Sequence, residues 1–341
     1  MAQLTRRALL IASGVALAPY IRRARADAPL QLRCSLDTAP AHGRNVSVAD
    51  FLKKFEAASD GAVKTELFSS GQLFPDLDVG KALIQGQVEM ACPGSWTISG
   101  IVPNAELFQL PALYGRNLSA VHRVVDGAAG QIVVGDVKQR LRSQVLGKWL
   151  TLGYENLYST SHPLNSVADV KGLKVRSPGG AGNSSRIRFL GGIPNTTAWP
   201  AVPLALSQGT FDALISTDES LVSAKLYEAG VRYSLADREF VGEYIPMVSL
   251  TFWNKLPPEL QKKMGDIWEE NIGTYRGNMQ KRQEDARQIL IEHGVKIVDP
   301  PEPEIADLRS RMMAHQDEVA KELKVSPEIV RLVIADASAA D

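Results

Sequence analysis

The sequence predicts an α/β protein built as two lobes, and three observations lead there. Short apolar strand patterns alternate with amphipathic helices from Gln31 to Cys92, the order expected of a parallel sheet covered by helices. With the first 26 residues set aside as an export segment, 341 − 26 = 315 residues remain, more than one hydrophobic core usually supports. A helical pattern that starts at Pro258 runs to about His293. At 1.5 Å per residue it would be roughly 50 Å long, enough to brace both lobes.

Residues 1–26 read as an export signal. Twin arginines, Arg6 and Arg7, precede an apolar run from Ala8 to Ile21 that is short for a membrane span. Ala24-Arg25-Ala26 then offers small residues around a cleavage point before Asp27. The pattern is similar to twin-arginine (Tat) signals, with Arg22, Arg23 and Arg25 behind the apolar core disfavouring the general secretory route. A periplasmic protein, mature from about Asp27, is expected. Cleavage removes five arginines and no acids, leaving 38 − 5 = 33 basic against 38 acidic residues, a net charge of −5. That balance opposes binding to nucleic acid or anionic lipid. Cys34 and Cys92 each sit in an apolar strand pattern, and buried free thiols are favoured over a bridge.

The elements follow in order. Gln31 to Asp37, Val63 to Ser69 and Val88 to Cys92 read as strands. Val48, Phe51, Leu52 and Phe55 mark one helix, stopped near Gly61; Val79, Leu83 and Ile84 mark another, with Asp76 as its cap and Gly86 as its end. Ligands sit beyond the carboxyl ends of strands in such sheets, here near Ala39, Ser69 and Pro93–Trp96. Phe68 and Trp96, at two of those ends, are candidate ligand contacts. A single helical stretch is expected from Ser119 to about Gln144, followed by apolar strand patterns. A second α/β unit begins after about residue 152, with Pro203–Gln208 helical and Asp212–Ile215 strand-like. Pro258 suits a first helical turn and Gly294 an exit, while Gly273 and Gly277 argue against an unbroken helix between them. Residues 27–151 with about 242–280 are expected to form lobe 1, and 152–241 with about 281–341 lobe 2, with a ligand cleft between.

Catalytic patterns are missing. The five histidines show no zinc spacing, and there is no nucleophile elbow, no Walker loop and no complete dinucleotide fingerprint. No enzyme, cofactor or metal is expected. What stands out is Gly172-Leu173-Lys174-Val175-Arg176-Ser177-Pro178-Gly179-Gly180-Ala181-Gly182. A strand ends at Arg176, glycines break the chain, and a helix begins. A guanidinium fork there matches a carboxylate, and free N–H groups of the first helical turn would add positive potential. The alternative is a solvated arginine at a strand end. An exported two-lobed protein of this kind is most simply a binding protein.

At this point the chain resembles the solute-binding proteins of TRAP (tripartite ATP-independent periplasmic) transporters, the DctP-type family. Ser70-Gly71-Gln72-Leu73 is similar to the family's "GQL" turn, and Ala82-Leu83-Ile84-Gln85-Gly86-Gln87-Val88-Glu89-Met90 to its "AL-x-x-G-x-x-x-M" segment. Leu110-Pro111-Ala112-Leu113-Tyr114 resembles its "LP-F-L-F" turn, and Asp169 to Pro178 its "DLKGLKIR-x-P". Phe252-Trp253-Asn254-Lys255-Leu256-Pro257 is similar to the "W-x-x-LP" before the long helix. The resemblance implies a two-lobed periplasmic-binding-protein fold with crossing strands, a small organic acid as ligand, and transient delivery to integral-membrane TRAP permease subunits by a monomeric receptor. It also implies that Arg176 grips the ligand carboxylate.

Two departures qualify the ligand. Glu155 stands where many relatives carry a second arginine, and Ser216 stands where the family often has an asparagine. A compact dianion is therefore expected to bind poorly, and a hydroxy- or amino-substituted monocarboxylate better, provided Glu155 faces the cleft rather than solvent. Trp199 is a flat wall for the ligand or a core residue. An ABC-type receptor for a small anion, or a secreted enzyme, are the competing readings.

Overall fold

The computed structural model describes residues 28–338, so the export segment lies outside the described residues. The chain runs β1 (Leu30–Ser35), α1 (Gly43–Ala58), β2 (Val63–Phe68), α2 (Asp76–Ile84) and β3 (Met90–Ala91), then 3-10 turns at Ser95–Thr97, Pro103–Gln109 and Pro111–Leu113. α3 (Leu118–Asp126), α4 (Ala128–Arg140), β4 (Ser143–Val145) and β5 (Leu150–Ser159) follow. Next come β6 (Lys174–Ser177), α5 (Ala181–Phe189), β7 (Ile193–Thr196), α6 (Val202–Ser207), β8 (Ala213–Ser216) and α7 (Asp218–Ser223). β9 (Tyr233–Tyr244), β10 (Met247–Ser249), α8 (Leu250–Trp253), α9 (Pro258–Glu292), β11 (Lys296–Val298), α10 (Glu302–Met313), α11 (Gln316–Leu323) and α12 (Pro327–Ser338) complete the chain.

Among the described residues the strands form two sheets, ordered β2-β1-β3-β10-β4 and β11-β9-β5-β8-β6-β7. β1, β2 and β3 are parallel, as the strand–helix alternation predicts. β5 and β9 are antiparallel and paired from Leu150↔Tyr244 to Ser159↔Tyr233. The far end of β9 leaves the second sheet, bridges Gly94 through Tyr244 and continues into β10 of the first. These two strands are the crossing connection between the lobes.

α9 is the brace. Its buried residues Leu260, Met264, Trp268, Ile272, Tyr275, Met279, Ala286 and Leu290 recur at helical spacing over 35 residues. Trp268 packs edge-on against Phe51 of α1 at 5.2 Å and donates to the Lys148 carbonyl at 2.8 Å. Farther along, Gln283 donates to the Leu152 carbonyl and accepts from the Glu219 N–H of α7. Gly273 and Gly277 do not break it: a Cβ at either would meet nothing within 4 Å, so they lie on an uncrowded face.

Two segments differ from expectation. The predicted Ser119–Gln144 helix splits into α3 and α4 at Gly127, where the chain turns so tightly that a Cβ would stand 2.4 Å from the Arg123 carbonyl oxygen. The C-terminal segment, expected with lobe 2, divides: β11 joins the second sheet, whereas α12 returns to pack on α3 and α4. Ile329, Val333 and Ala337 form its buried stripe, against those helices and the Pro103–Gln109 and Pro111–Leu113 turns.

Candidate ligand cleft

Where the two lobes face each other, a cavity of about 40 Å³ is lined by Asp37, Thr38, Trp96, Glu155, Arg176, Trp199, Ser216, Ser220 and Tyr244, among others. The cavity is small, with room for a few waters. Of the six residues singled out from sequence, five meet here: Arg176, Glu155, Ser216, Trp199 and Trp96. Phe68 does not. It ends β2, the edge strand of the first sheet, one strand too far out.

Arg176 lies in β6, flanked by β8 and β7. Its side chain is 3 % exposed. Nε donates to the Thr197 carbonyl at 3.0 Å and Nη1 to the Ile215 carbonyl at 3.2 Å. Two carbonyls thus fix the fork, yet no carboxylate among the described residues forms an ion pair with it. Burial lowers its pKa to about 10, opposed by Glu155, Asp37 and Tyr244. The Trp199 ring lies under the guanidinium, 5.3 Å from Cζ to the ring centroid. Trp199 itself is half-buried, wall on one side and core contact on the other.

Glu155 is a strand residue of β5, opposite Phe240 of β9 and 3 % exposed, so the solvated-loop alternative does not hold. Burial raises its carboxyl pKa to about 8, with Arg176 pulling the other way. Ser216 ends β8 beside it. Trp96, in the turn after β3, packs edge-on against Phe240 at 5.9 Å and tilts over Tyr244 at 6.0 Å.

The floor on the first-lobe side was missed from sequence. Arg44 of α1 is fully buried and joins Asp76 at 2.6 Å, Asp37 at 2.5 Å, the Cys92 carbonyl at 3.1 Å and Thr38 Oγ1 at 2.9 Å. Its guanidinium also lies 4.2 Å from the centre of the Tyr244 ring. Asp76 is the first residue of α2 rather than its cap, and its carboxylate turns to Arg44 and the Gly94 N–H. The available signal was Asp37, an acid at the end of an apolar strand. Arg44→Leu would leave two buried carboxylates uncompensated, and we expect a loss of about 3–5 kcal/mol in denaturant unfolding.

The glycine loop also differs from expectation. The first N–H groups of α5 are not open to a ligand: Ala181 N–H donates to Glu106 Oε1 at 2.8 Å. A larger cavity of about 560 Å³ opens by Tyr154, Asn156, Arg276, Gln283 and Arg287, on the β5 face opposite Glu155. Arg276, Arg287 and Arg238, all lining it, are already paired with Asp126, Asp299 and Glu302.

Two α/β lobes joined by crossing strands, with a buried cation between them, have the architecture of two-lobed solute-binding proteins. The profile of "bacterial extracellular solute-binding protein, family 7" (DctP) matches residues 38–323, and the chain belongs to that family, the TRAP solute-binding proteins. The family consists of periplasmic binding proteins, not enzymes. Among the described residues no helix is long and apolar enough to cross a membrane. The C4-dicarboxylate-binding periplasmic protein DctP of Rhodobacter capsulatus is 24% identical over 267 residues, 78% of this chain and 79% of the relative. The sugar acid binding protein DctPAm of Advenella mimigardefordensis, solved with galactonate, superposes with a TM-score of 0.85 at 21% identity, covering 92% of this chain and 99% of that one. A TRAP periplasmic solute binding protein of Sulfurospirillum deleyianum, solved with succinate, gives 0.82 at 22% identity over 90% and 99%.

Proposed function

We propose that the protein captures a small organic acid, with a carboxylate for Arg176 and a hydrogen-bonding group for Glu155, and hands it to the membrane subunits of a TRAP transporter. One observation carries this reading: Arg176 is buried, held by two backbone carbonyls, and forms no ion pair with a carboxylate among the described residues. A ligand carboxylate supplies the missing charge through two parallel hydrogen bonds. Trp199 forms a flat wall at that end, and Ser216 adds a hydroxyl. Glu155 faces the rest of the ligand and reads a donor there. Galactonate and succinate, bound in two solved relatives, are small organic acids of the kind a buried arginine would hold.

The charge at Glu155 decides between ligands. Burial keeps it mostly protonated at neutral pH, so the penalty expected for a second ligand carboxylate applies only above about pH 8. That removes the physical basis for a blanket exclusion of dicarboxylates. Mass spectrometry of small molecules released from the purified protein, followed by calorimetry with galactonate, succinate and amino acids, tests the reading; recovery of only uncharged ligands would end it. Glu155→Gln keeps an acceptor but removes the ionisable group, and is expected to weaken amine-bearing ligands more than hydroxyl-bearing ones in the same titrations.

A further inference from the structure

Two helices, one on each lobe, have no acidic residue in their own first turn, and each receives one from the opposite lobe. α5 lies on the second sheet. Its first N–H, Ala181, donates to Glu106 Oε1 at 2.8 Å, from the Pro103–Gln109 turn that is tied to α4 of the first lobe through Asn104 and Asp136. α1 lies on the first sheet. Its first N–H, Gly43, donates to Glu219 Oε1 at 2.8 Å, from α7, which directly follows β8 of the second sheet. Both carboxylates are nearly inaccessible, Glu106 at 1 % and Glu219 at 4 %.

The surroundings are shaped for close approach. A Cβ at Gly182 would lie 2.4 Å from Gln109 Cβ, and one at Gly180 would lie 2.8 Å from Glu106 Oε1. Any side chain there would hold the lobes apart. At the other contact, His42 Nε2 sits 2.9 Å from Glu219 Oε2 and 3.0 Å from Ser220 Oγ, and Arg282 Nη1 bridges Glu219 to the Ala41 carbonyl. Both contacts adjoin the cleft: Ser220 lines it, and the Gly179–Gly182 loop directly follows β6, which carries Arg176.

We propose that this reciprocal helix capping is the closure latch of the receptor. Each helix N-terminus carries roughly half a positive charge, which a buried carboxylate from the other lobe completes only when the lobes meet. The latch holds the closed form at a measurable population without ligand and retards ligand release.

The test uses spin labels on Lys53→Cys in α1 and Gln208→Cys after α6, both exposed positions; the two native cysteines are buried, so labelling is selective. Pulsed dipolar distances are recorded on ligand-free protein in the otherwise wild-type chain and in Glu106→Ala, Glu219→Ala and the double variant. A short-distance population is expected in the wild type, reduced at least threefold by each substitution and further by both. Gly182→Val should produce the same loss by wedging the Glu106 contact from the other lobe, which covers the case of a Glu106 variant that fails to fold. A wild type with a single long distance, or distributions unchanged across the variants, would overturn the latch. Because no ligand is added, failure here is separate from failure of the acid-receptor reading.

Discussion

Arg176→Ala is expected to weaken ligand binding about 30-fold or more while leaving cooperative unfolding intact. Truncating one member of a desolvated, hydrogen-bonded ion pair typically costs 2–5 kcal/mol, a large share of the roughly 8 kcal/mol of micromolar binding. Arg176→Lys should not restore affinity. An ammonium cannot make two parallel bonds to a carboxylate, and the Thr197 and Ile215 carbonyls that now fix the fork would hold a lysine differently. Calorimetry with the ligand identified by mass spectrometry gives the answer. Wild-type affinity in either variant would take Arg176 out of the site.

The second large effect is a pH dependence whose sign depends on the ligand. Glu155 has a folded-state pKa of about 8 against an ordinary 4.5. The folded chain therefore keeps a proton that the unfolded chain has released across that window. Its contribution to stability is greatest below the ordinary value and is lost as pH rises through about 8. A ligand ammonium placed beside Glu155 favours the ionised form. Such a ligand should release about 0.9 proton at pH 7, and its affinity should rise roughly tenfold per pH unit up to about 8. A dicarboxylate needs the neutral form, so its affinity should fall by about the same factor per unit above 8. A hydroxy acid should show little of either. Titrations in buffers of different ionisation enthalpy, from pH 6 to 9, read the proton count directly, and Glu155→Gln should flatten every profile. Proton release near zero for all ligands, with flat profiles in the unmodified protein, would mean that Glu155 does not meet them.

Much of the fold was legible because strand and helix periodicities are local. The β1–α1–β2–α2–β3 alternation and the start and end of α9 follow from apolar spacing, whereas the crossing strands were expected only from the family resemblance and Glu155 was not placed in one of them. The strand that ends at Arg176 was legible for the same reason, but its pattern alone fits a solvated arginine equally well, and the family resemblance is what assigned the residue to the ligand. What failed was non-local. Phe68 closes a strand just as Trp96 follows one, and only the strand order β2-β1-β3 puts one at the rim and the other in the cleft. Arg44 sits inside an ordinary helical pattern, and nothing nearby in sequence announces that Asp37 and Asp76 converge on it. The glycines after Arg176 were read as an opening for an anion, whereas they make room for another part of the same chain. Gly127 ended a helix whose flanking residues are all helix-compatible.

Cys34 in β1 and Cys92 just after the neighbouring β3 are buried and unbridged, with burial pushing each thiol well above its ordinary pKa. Thiol–disulfide exchange needs an accessible thiolate, and the folded chain offers none. The same two sulfurs in an unfolded chain would be exposed to oxidoreductases in a disulfide-forming compartment, where they would be open to pairing with each other or with a stranger. A molecule that enters that compartment already folded avoids the hazard altogether. Two hidden cysteines therefore leave the folded receptor no thiol for that exchange, whatever the redox poise around it.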